Sequence, residues 1–311
     1  MTNNKRGSGV RHVTVGRDRA GQRLDNFLMH ELGRVPRSLV YRLVRTGQVR
    51  VDGRRAKPMK KLGEGDEVRI PPVAAPGDVE TSVPDEAVER IRACIIEHNE
   101  EYLVIDKPAG VAVQGGSGLT WSLMDVLGKL GEGFRPVHRI DRPTSGLLVV
   151  ACGHRAAREL QRAFAGQRVE KRYLALLQGR LPEEQVTVDT PLKKVRDASG
   201  QRRVIAADDG QDAVTHFRLL ERIGDFSYVE ASIETGRTHQ IRAHAASIGH
   251  PLVGDDRYNQ QPAPTPCRRL FLHAHYLKLP WPEERVFGAP LPDELSKVLD
   301  ALREPGPAQS S

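Results

Sequence analysis

The chain has few cysteines: three in 311 residues, Cys94, Cys152 and Cys267, odd in number and far apart. That pattern excludes a disulfide framework and the close thiol pairs of structural zinc, and leaves three reduced thiols. Long apolar runs are also missing, since no stretch approaches the roughly eighteen apolar residues of a membrane span. The opening Met1-Thr2-Asn3-Asn4-Lys5-Arg6 leads into polar sequence rather than a signal-peptide core, so a cytoplasmic protein without a membrane partner is expected. Gly115-Gly116-Ser117-Gly118 lacks the Lys and Ser/Thr ending of a phosphate-binding loop, which argues against nucleotide hydrolysis. The histidines lack metal-ligand spacing. His239 and His244 are five apart rather than four, and His273 and His275 have no acidic or cysteine neighbour, so no catalytic metal is expected. There is no internal repeat.

What is present is enough apolar sequence, 39%, for a sizeable core divided between two domains. The net charge of +7 is unevenly spread. Residues 1–72 hold 17 Lys and Arg against 7 Asp and Glu, a balance of +10, and the remainder holds 30 against 33, or −3. A basic end on a near-neutral body suits the binding of a polyanion. Residues 1 to about 12 show no periodicity and read as a basic tail. From Arg23 the pattern changes: Leu24, Phe27, Leu28 and Leu32 recur at helical spacing, and Pro36 suits the first position of a second helix. On that helix Leu39, Val40, Leu43 and Val44 share one side, and Arg37, Arg42 and Arg45 the other, as candidate phosphate contacts. Gly47 suits the helix exit. Val49, Val51 and the turn pair Asp52-Gly53 predict a hairpin into Arg54-Arg55-Ala56-Lys57, and Asp66-Glu67-Val68-Arg69-Ile70 a last strand.

Over roughly residues 22 to 71 this segment resembles the S-four type RNA-binding domain, through Arg23-Leu24-Asp25, Arg37-Ser38, Gly47-Gln48-Val49-Arg50-Val51-Asp52-Gly53 and Gly65-Asp66-Glu67-Val68. The expected organisation is an RNA-binding domain over 22–72, a linker over 73–90 and a catalytic domain over 91–303, with a disordered tail. The linker is acidic and carries Pro76 and Pro84 without an apolar period. Beyond it, β-branched runs alternate with shorter helical patterns. Tyr102–Ile105, Gly146–Val150, Tyr173–Leu177 and Phe226–Val229 read as strands and Arg155–Ala165 as a helix, which predicts an α+β domain with a mixed, mostly antiparallel sheet.

The densest chemistry lies in His138-Arg139-Ile140-Asp141-Arg142-Pro143-Thr144-Ser145-Gly146, at the mouth of a predicted buried strand. An Asp between two arginines is kept ionised at neutral pH, although an Asp before Thr-Ser-Gly is, taken alone, more often a turn residue. The stretch resembles the signature of the RluA-type pseudouridine synthases, with Ile140 in place of the usual Leu and Pro143 where a polar residue is common. The resemblance continues through Asp106-Lys107-Pro108-Ala109-Gly110, Val169-Glu170-Lys171-Arg172-Tyr173-Leu174-Ala175, Thr235-Gly236-Arg237-Thr238-His239-Gln240-Ile241-Arg242 and Gly249-His250-Pro251-Leu252-Val253-Gly254-Asp255, in order.

That resemblance implies an isomerase that converts uridine to pseudouridine in large-subunit ribosomal RNA. The reaction breaks one glycosidic bond and forms another with no redox step, so no cofactor is expected. It also implies roles for individual residues. Asp141 is the reacting carboxylate, attacking either the sugar or the base, or assisting through a glycal. Arg242 pairs with it, Ile241 packs in the pocket, Tyr173 stacks on the flipped uracil, and Arg139 enters the RNA stack. Thr238 is expected to cap a helix whose Ile241, Ala245 and Ile248 form a buried stripe, with Gly249 at its exit. Two other readings are an RNA-binding assembly factor without catalysis, and a glycoside hydrolase, which would need a second carboxylate that the motifs do not supply. A monomer is expected.

Overall fold

Helix α1 (Leu24–Leu32) and helix α2 (Arg37–Arg45) turn their apolar stripes toward each other, so that Leu24, Phe27 and Leu28 share one core with Val40, Leu43 and Val44. This is a computed structural model, and it describes residues 9–32, 35, 37–72, 83–115, 119–196 and 202–304. Pro36, residues 73–82 of the expected linker and the tail from 305 lie outside the described residues. The chain forms two units, Met1–Ser82 with Gly116–Thr120, and Val83–Gly115 with Trp121–Ser311.

In the first unit a three-stranded antiparallel sheet, β1 (Arg11–Thr14), β2 (Arg50–Val51) and β3 (Glu67–Ile70), runs in the order β1-β3-β2. The predicted hairpin is shorter than expected. Asp52 and Gly53 both have positive φ and close a two-residue turn, but pairing stops at Val51 and Arg54, and β2 takes β3 as its main partner. Strand β1 corrects the reading of residues 1 to about 12 as an aperiodic tail. Its Cα partners run from Arg11 opposite Ile70 to Thr14 opposite Glu67. Arg42 and Arg45 are exposed on α2, as the amphipathic pattern requires, while the side chain of Arg37 lies outside what is described.

The second unit opens with helix α3 (Asp85–Ala93), which corrects the end of the expected linker. Its acidic first turn follows Pro84, and Ala87 and Ile91, one turn apart, are buried against the main core. Strands β4 (Ile95–His98) and β5 (Tyr102–Lys107) follow, then helix α4 (Leu123–Leu130), β6 (Phe134–Pro136), β7 (Ser145–Cys152) and helix α5 (Gly153–Ala165). Next come β8 (Glu170–Gln178), β9 (Gln185–Asp189), β10 (Leu192–Arg196), β11 (Arg202–Ala206), β12 (Val214–Ile223) and β13 (Phe226–Ile233). Helix α6 (Gln240–Ser247), β14 (Leu272–Leu279), β15 (Arg285–Gly288) and helix α7 (Asp293–Arg303) complete the unit.

Ten strands form one sheet in the order β4-β5-β7-β14-β8-β13-β12-β9, with β6 on β7 and β15 on β14. Its pairings are antiparallel except for β7 with β14, and β10 and β11 form a separate two-stranded arm. The four strands and the helix predicted for this unit lie within β5, β7, β8, β13 and α5. Alternation divides the sheet into two faces. Leu148, Val150, Tyr173 and Ala231 meet α3, α4 and α6 on one side. On the other, Leu147 and Val149 meet α5, and Leu176 and Phe226 meet α7. The parallel junction explains Gly146. A Cβ built there would lie 2.3 Å from the carbonyl oxygen of Ala274, and φ is +108°. Among the described residues no helix is long and apolar enough to cross a membrane.

Candidate active site

Asp141 sits in the loop that delivers the chain to β7, and that loop is held from three sides. His138 Nε2 accepts the Val149 N–H at 2.8 Å while its ring stacks on Phe164 with centroids 4.3 Å apart. Burial, aided by Lys171, pushes His138 down to about 3, so it is a neutral acceptor. On the far side of Asp141 the Thr144 N–H donates to the Asp141 carbonyl at 3.1 Å, closing a tight turn around Pro143. Beneath it the buried Lys107 Nζ donates to the carbonyls of Pro108 and Val111, each at 2.9 Å, and of Arg142 at 3.4 Å. Burial pushes Lys107 down to about 7, against the attraction of Asp141. The Gly110 N–H donates to the Arg142 carbonyl and Arg142 Nε to that of Gly110, which ties the two loops together.

Helix α6 supplies the cation. Arg242 Nη1 lies 3.4 Å from Asp141 Oδ2, and its Nε and Nη2 form a two-pronged pair with Asp255, both at 2.7 Å. Asp255 is fully enclosed and also accepts the N–H groups of Arg257 and Tyr258. Burial alone would lower Arg242, but the bonds to Asp255 and the charges of Asp255 and Asp141 outweigh it, so its value is raised. The guanidinium is therefore a permanent charge beside Asp141. The start of α6 corrects the sequence reading. The capping position is His239, in a left-handed conformation, and not Thr238. Gln240 organises the turn instead, its Oε1 accepting from the Thr235 hydroxyl at 2.7 Å and the Arg237 N–H at 3.0 Å. Ile241 and Ala245 are buried, and Gly249 leaves the helix with φ +80°.

These groups face one cavity of about 420 Å³, whose walls include Arg139, Asp141, Tyr173, His239, Ile241 and Arg242. The structure thus brings together every residue singled out in the second unit. Tyr173, on β8 opposite Ala231 and Ala274, has its phenol pushed up by burial and by the negative charge of Asp141. It stays protonated, which suits stacking and proton donation rather than service as a base. Arg139 is exposed at the rim. A floor with a carboxylate, a fixed cation and an aromatic face can take up an extruded planar base beside one carboxylate oxygen. Among the described residues, no three of His, Cys, Asp and Glu are grouped to hold a metal ion.

Comparison with known proteins gives the chain a lineage. Residues 101–247 match the family model described as RNA pseudouridylate synthase, and residues 22–68 match the S4 domain. The ribosomal large subunit pseudouridine synthase C of Yersinia pestis is 42% identical over 308 residues, covering 95% of this chain and 96% of that protein. The chain belongs to the RNA pseudouridine synthase family. The synthase is also 40% identical over 309 residues to the protein of the same name from Escherichia coli K12, over 94% of this chain and 97% of that one. Among solved structures, the human RNA pseudouridylate synthase domain containing 4 aligns with a TM-score of 0.60 at 25% identity, covering 70% of this chain and 96% of that one. The human domain containing 1 aligns at 0.54 and 29%, with the same coverage. As a member, the synthase is an isomerase acting on RNA, with an S4 domain at its N-terminal end. Sequence reasoning missed three groups of its site. Asp255 and Lys107 stood in motifs that were recognised without a role being assigned, and His239 was weighed only as a metal ligand.

Proposed function

We propose that this chain isomerises uridines to pseudouridine in large-subunit ribosomal RNA, with Asp141 as the reacting carboxylate. The observation that carries the reading is the convergence in one cavity of Asp141, paired to Arg242, with the ring of Tyr173. The RNA target follows the name shared by relatives that align with nearly the whole chain. The chemistry needs one ionised carboxylate close to the sugar and the base of an extruded uridine. Arg242, itself anchored by Asp255, supplies a fixed positive charge 3.4 Å from the Asp141 carboxylate. Tyr173 offers a face for the uracil, and Ile241 bounds the space in which the detached base turns. Arg139, at the rim, contacts the RNA next to the vacated position.

The first unit serves as the RNA grip through Arg42, Arg45 and Arg37 on α2. We take the chain to act as a monomer, and ribosomal RNA as substrate puts its work in the cytoplasm. The test is a map of pseudouridine in ribosomal RNA from cells with and without the protein, beside assays of the purified Asp141→Asn variant. Loss of defined large-subunit sites and an inactive variant are expected. An unchanged map would overturn the target. Turnover by the variant within about tenfold of wild type, less than 1.4 kcal/mol of barrier, would overturn the carboxylate.

A further inference from the structure

His239 holds a backbone conformation that non-glycine residues seldom adopt. At φ 53° and ψ 25° it lies in the left-handed region, shared among the described non-glycine residues only with Asp52 and Gln167. Strain of this kind collects where a side chain must be aimed. His239 is aimed at Asp141: its Nε2 lies 3.8 Å from Oδ2, with 14% of the side chain exposed. The other ring nitrogen, Nδ1, is 2.9 Å from the hydroxyl of Tyr258, whose ring stands edge-on to the imidazole at 88°.

The partners of the Tyr258 hydroxyl favour one placement of the hydrogen on His239. The Val204 N–H, in β11, donates to the Tyr258 oxygen at 3.1 Å. The phenol has one proton to give, and among the described residues Nδ1 is the acceptor placed to take it. His239 then carries its own proton on Nε2, toward Asp141. Burial lowers His239 and raises Tyr258, so both are neutral in this arrangement. The guanidinium carbons of Arg242 and Arg203 lie 5.1 and 5.2 Å from the centroid of the phenol ring, contacts that favour its placement.

We propose that Tyr258 is a positioning residue that locks His239 as the Nε2–H tautomer, giving Asp141 a second donor beside Arg242. Both donors face the same oxygen, Oδ2, and Oδ1 is left for the uridine. The 3.8 Å separation exceeds a hydrogen bond, so the proposal requires that it shorten when substrate fills the cavity. The order of dependence runs from the backbone of β11 through phenol and imidazole to carboxylate.

The proposal rests on Asp141 as the reacting carboxylate, which Asp141→Asn tests separately. Its own test is a double-mutant cycle on the full chain, with kcat and KM measured on an unmodified RNA that the wild type converts. Tyr258→Phe frees the tautomer and should lower kcat about tenfold, the scale of one hydrogen bond to a charged group, while KM stays within about twofold. In His239→Gln the amide nitrogen donates whatever Tyr258 does, so kcat should fall less than in His239→Leu. Adding Tyr258→Phe to that background should then change nothing further. An equal fall from Tyr258→Phe in both backgrounds would mean that the phenol acts through packing, and would overturn the proposal. So would an effect confined to KM, an unchanged kcat, or a His239→Gln variant as impaired as His239→Leu.

Discussion

Asp255 touches no substrate in the scheme above, yet Arg242 depends on it for two of its bonds. Replacing it with Asn leaves a buried guanidinium short of a counter-charge, a change that typically destabilises by about 3 to 5 kcal/mol. Asp255→Asn should therefore lose both stability in denaturant titration and turnover, whereas Asp141→Asn should lose turnover alone. Tyr173→Leu should depress turnover far more than RNA affinity, by roughly the 1 to 3 kcal/mol that stacking on a base is worth, and equal turnover would make the ring ordinary core. Two histidines predict a pH dependence of stability. His138 is pushed down to about 3 and His273 to about 4, chiefly by burial, from an unfolded value near 6.5. Folding is then favoured fully above pH 6.5, and this contribution is lost as protons enter the unfolded chain below it. The melting temperature should fall steadily from pH 6.5 to 4.5, and His138→Gln should flatten that fall. At this scale the sequence singled out Asp141, Tyr173 and Arg242 because whole motifs surround them, and the fold brings the three to one cavity. Tyr258 lay in no recognised motif, and the value of His239 depends on a backbone angle and a phenol that only the folded chain assembles.

Helix α2 was readable at the level of the element because its period separates Val40, Leu43 and Val44, which are buried, from Arg42 and Arg45, which are exposed. That separation carries an expectation for the RNA grip. Replacing Arg37, Arg42 and Arg45 with Gln should weaken binding by similar factors across RNA sequences, most strongly at low salt. The plot of log affinity against log salt should flatten by roughly 0.7 to 0.9 for each phosphate contact removed. Parallel slopes for wild type and variant would leave the arginines as a solvated face. Other elements were hidden for physical reasons. Strand β1 has only four residues, with Val13 the only partly covered one, so it shows no clean alternation, and its pairing with β3 is long-range. Helix α3 buries just two positions, Ala87 and Ile91, within acidic sequence that imitates a linker. The start of α6 was misplaced because Thr238 is a good cap by residue type, whereas the Gln240 side chain already satisfies that turn.

For the molecule as a whole, composition and charge were enough to separate a basic RNA-binding end from a larger body, and the strand pattern gave the α+β class. The strand order was not accessible, because nothing local specifies that β14 lies between β7 and β8. That order has a consequence for synthesis. The loop of Asp141 leads into β7 and Tyr173 stands on β8, so the two halves of the pocket are translated early, but the strand that sets them side by side begins only at Leu272. Non-local pairings of this kind form late, and a chain emerging from the ribosome cannot make them before the residues exist. A nascent chain ending before Leu272 should carry Asp141, Tyr173 and Arg242 and still leave uridine untouched in a stalled-ribosome assay, with activity appearing once residues through Leu279 are clear of the exit tunnel. Activity would in this sense be timed by topology, arising only once the strand that joins the two halves of the pocket has been made.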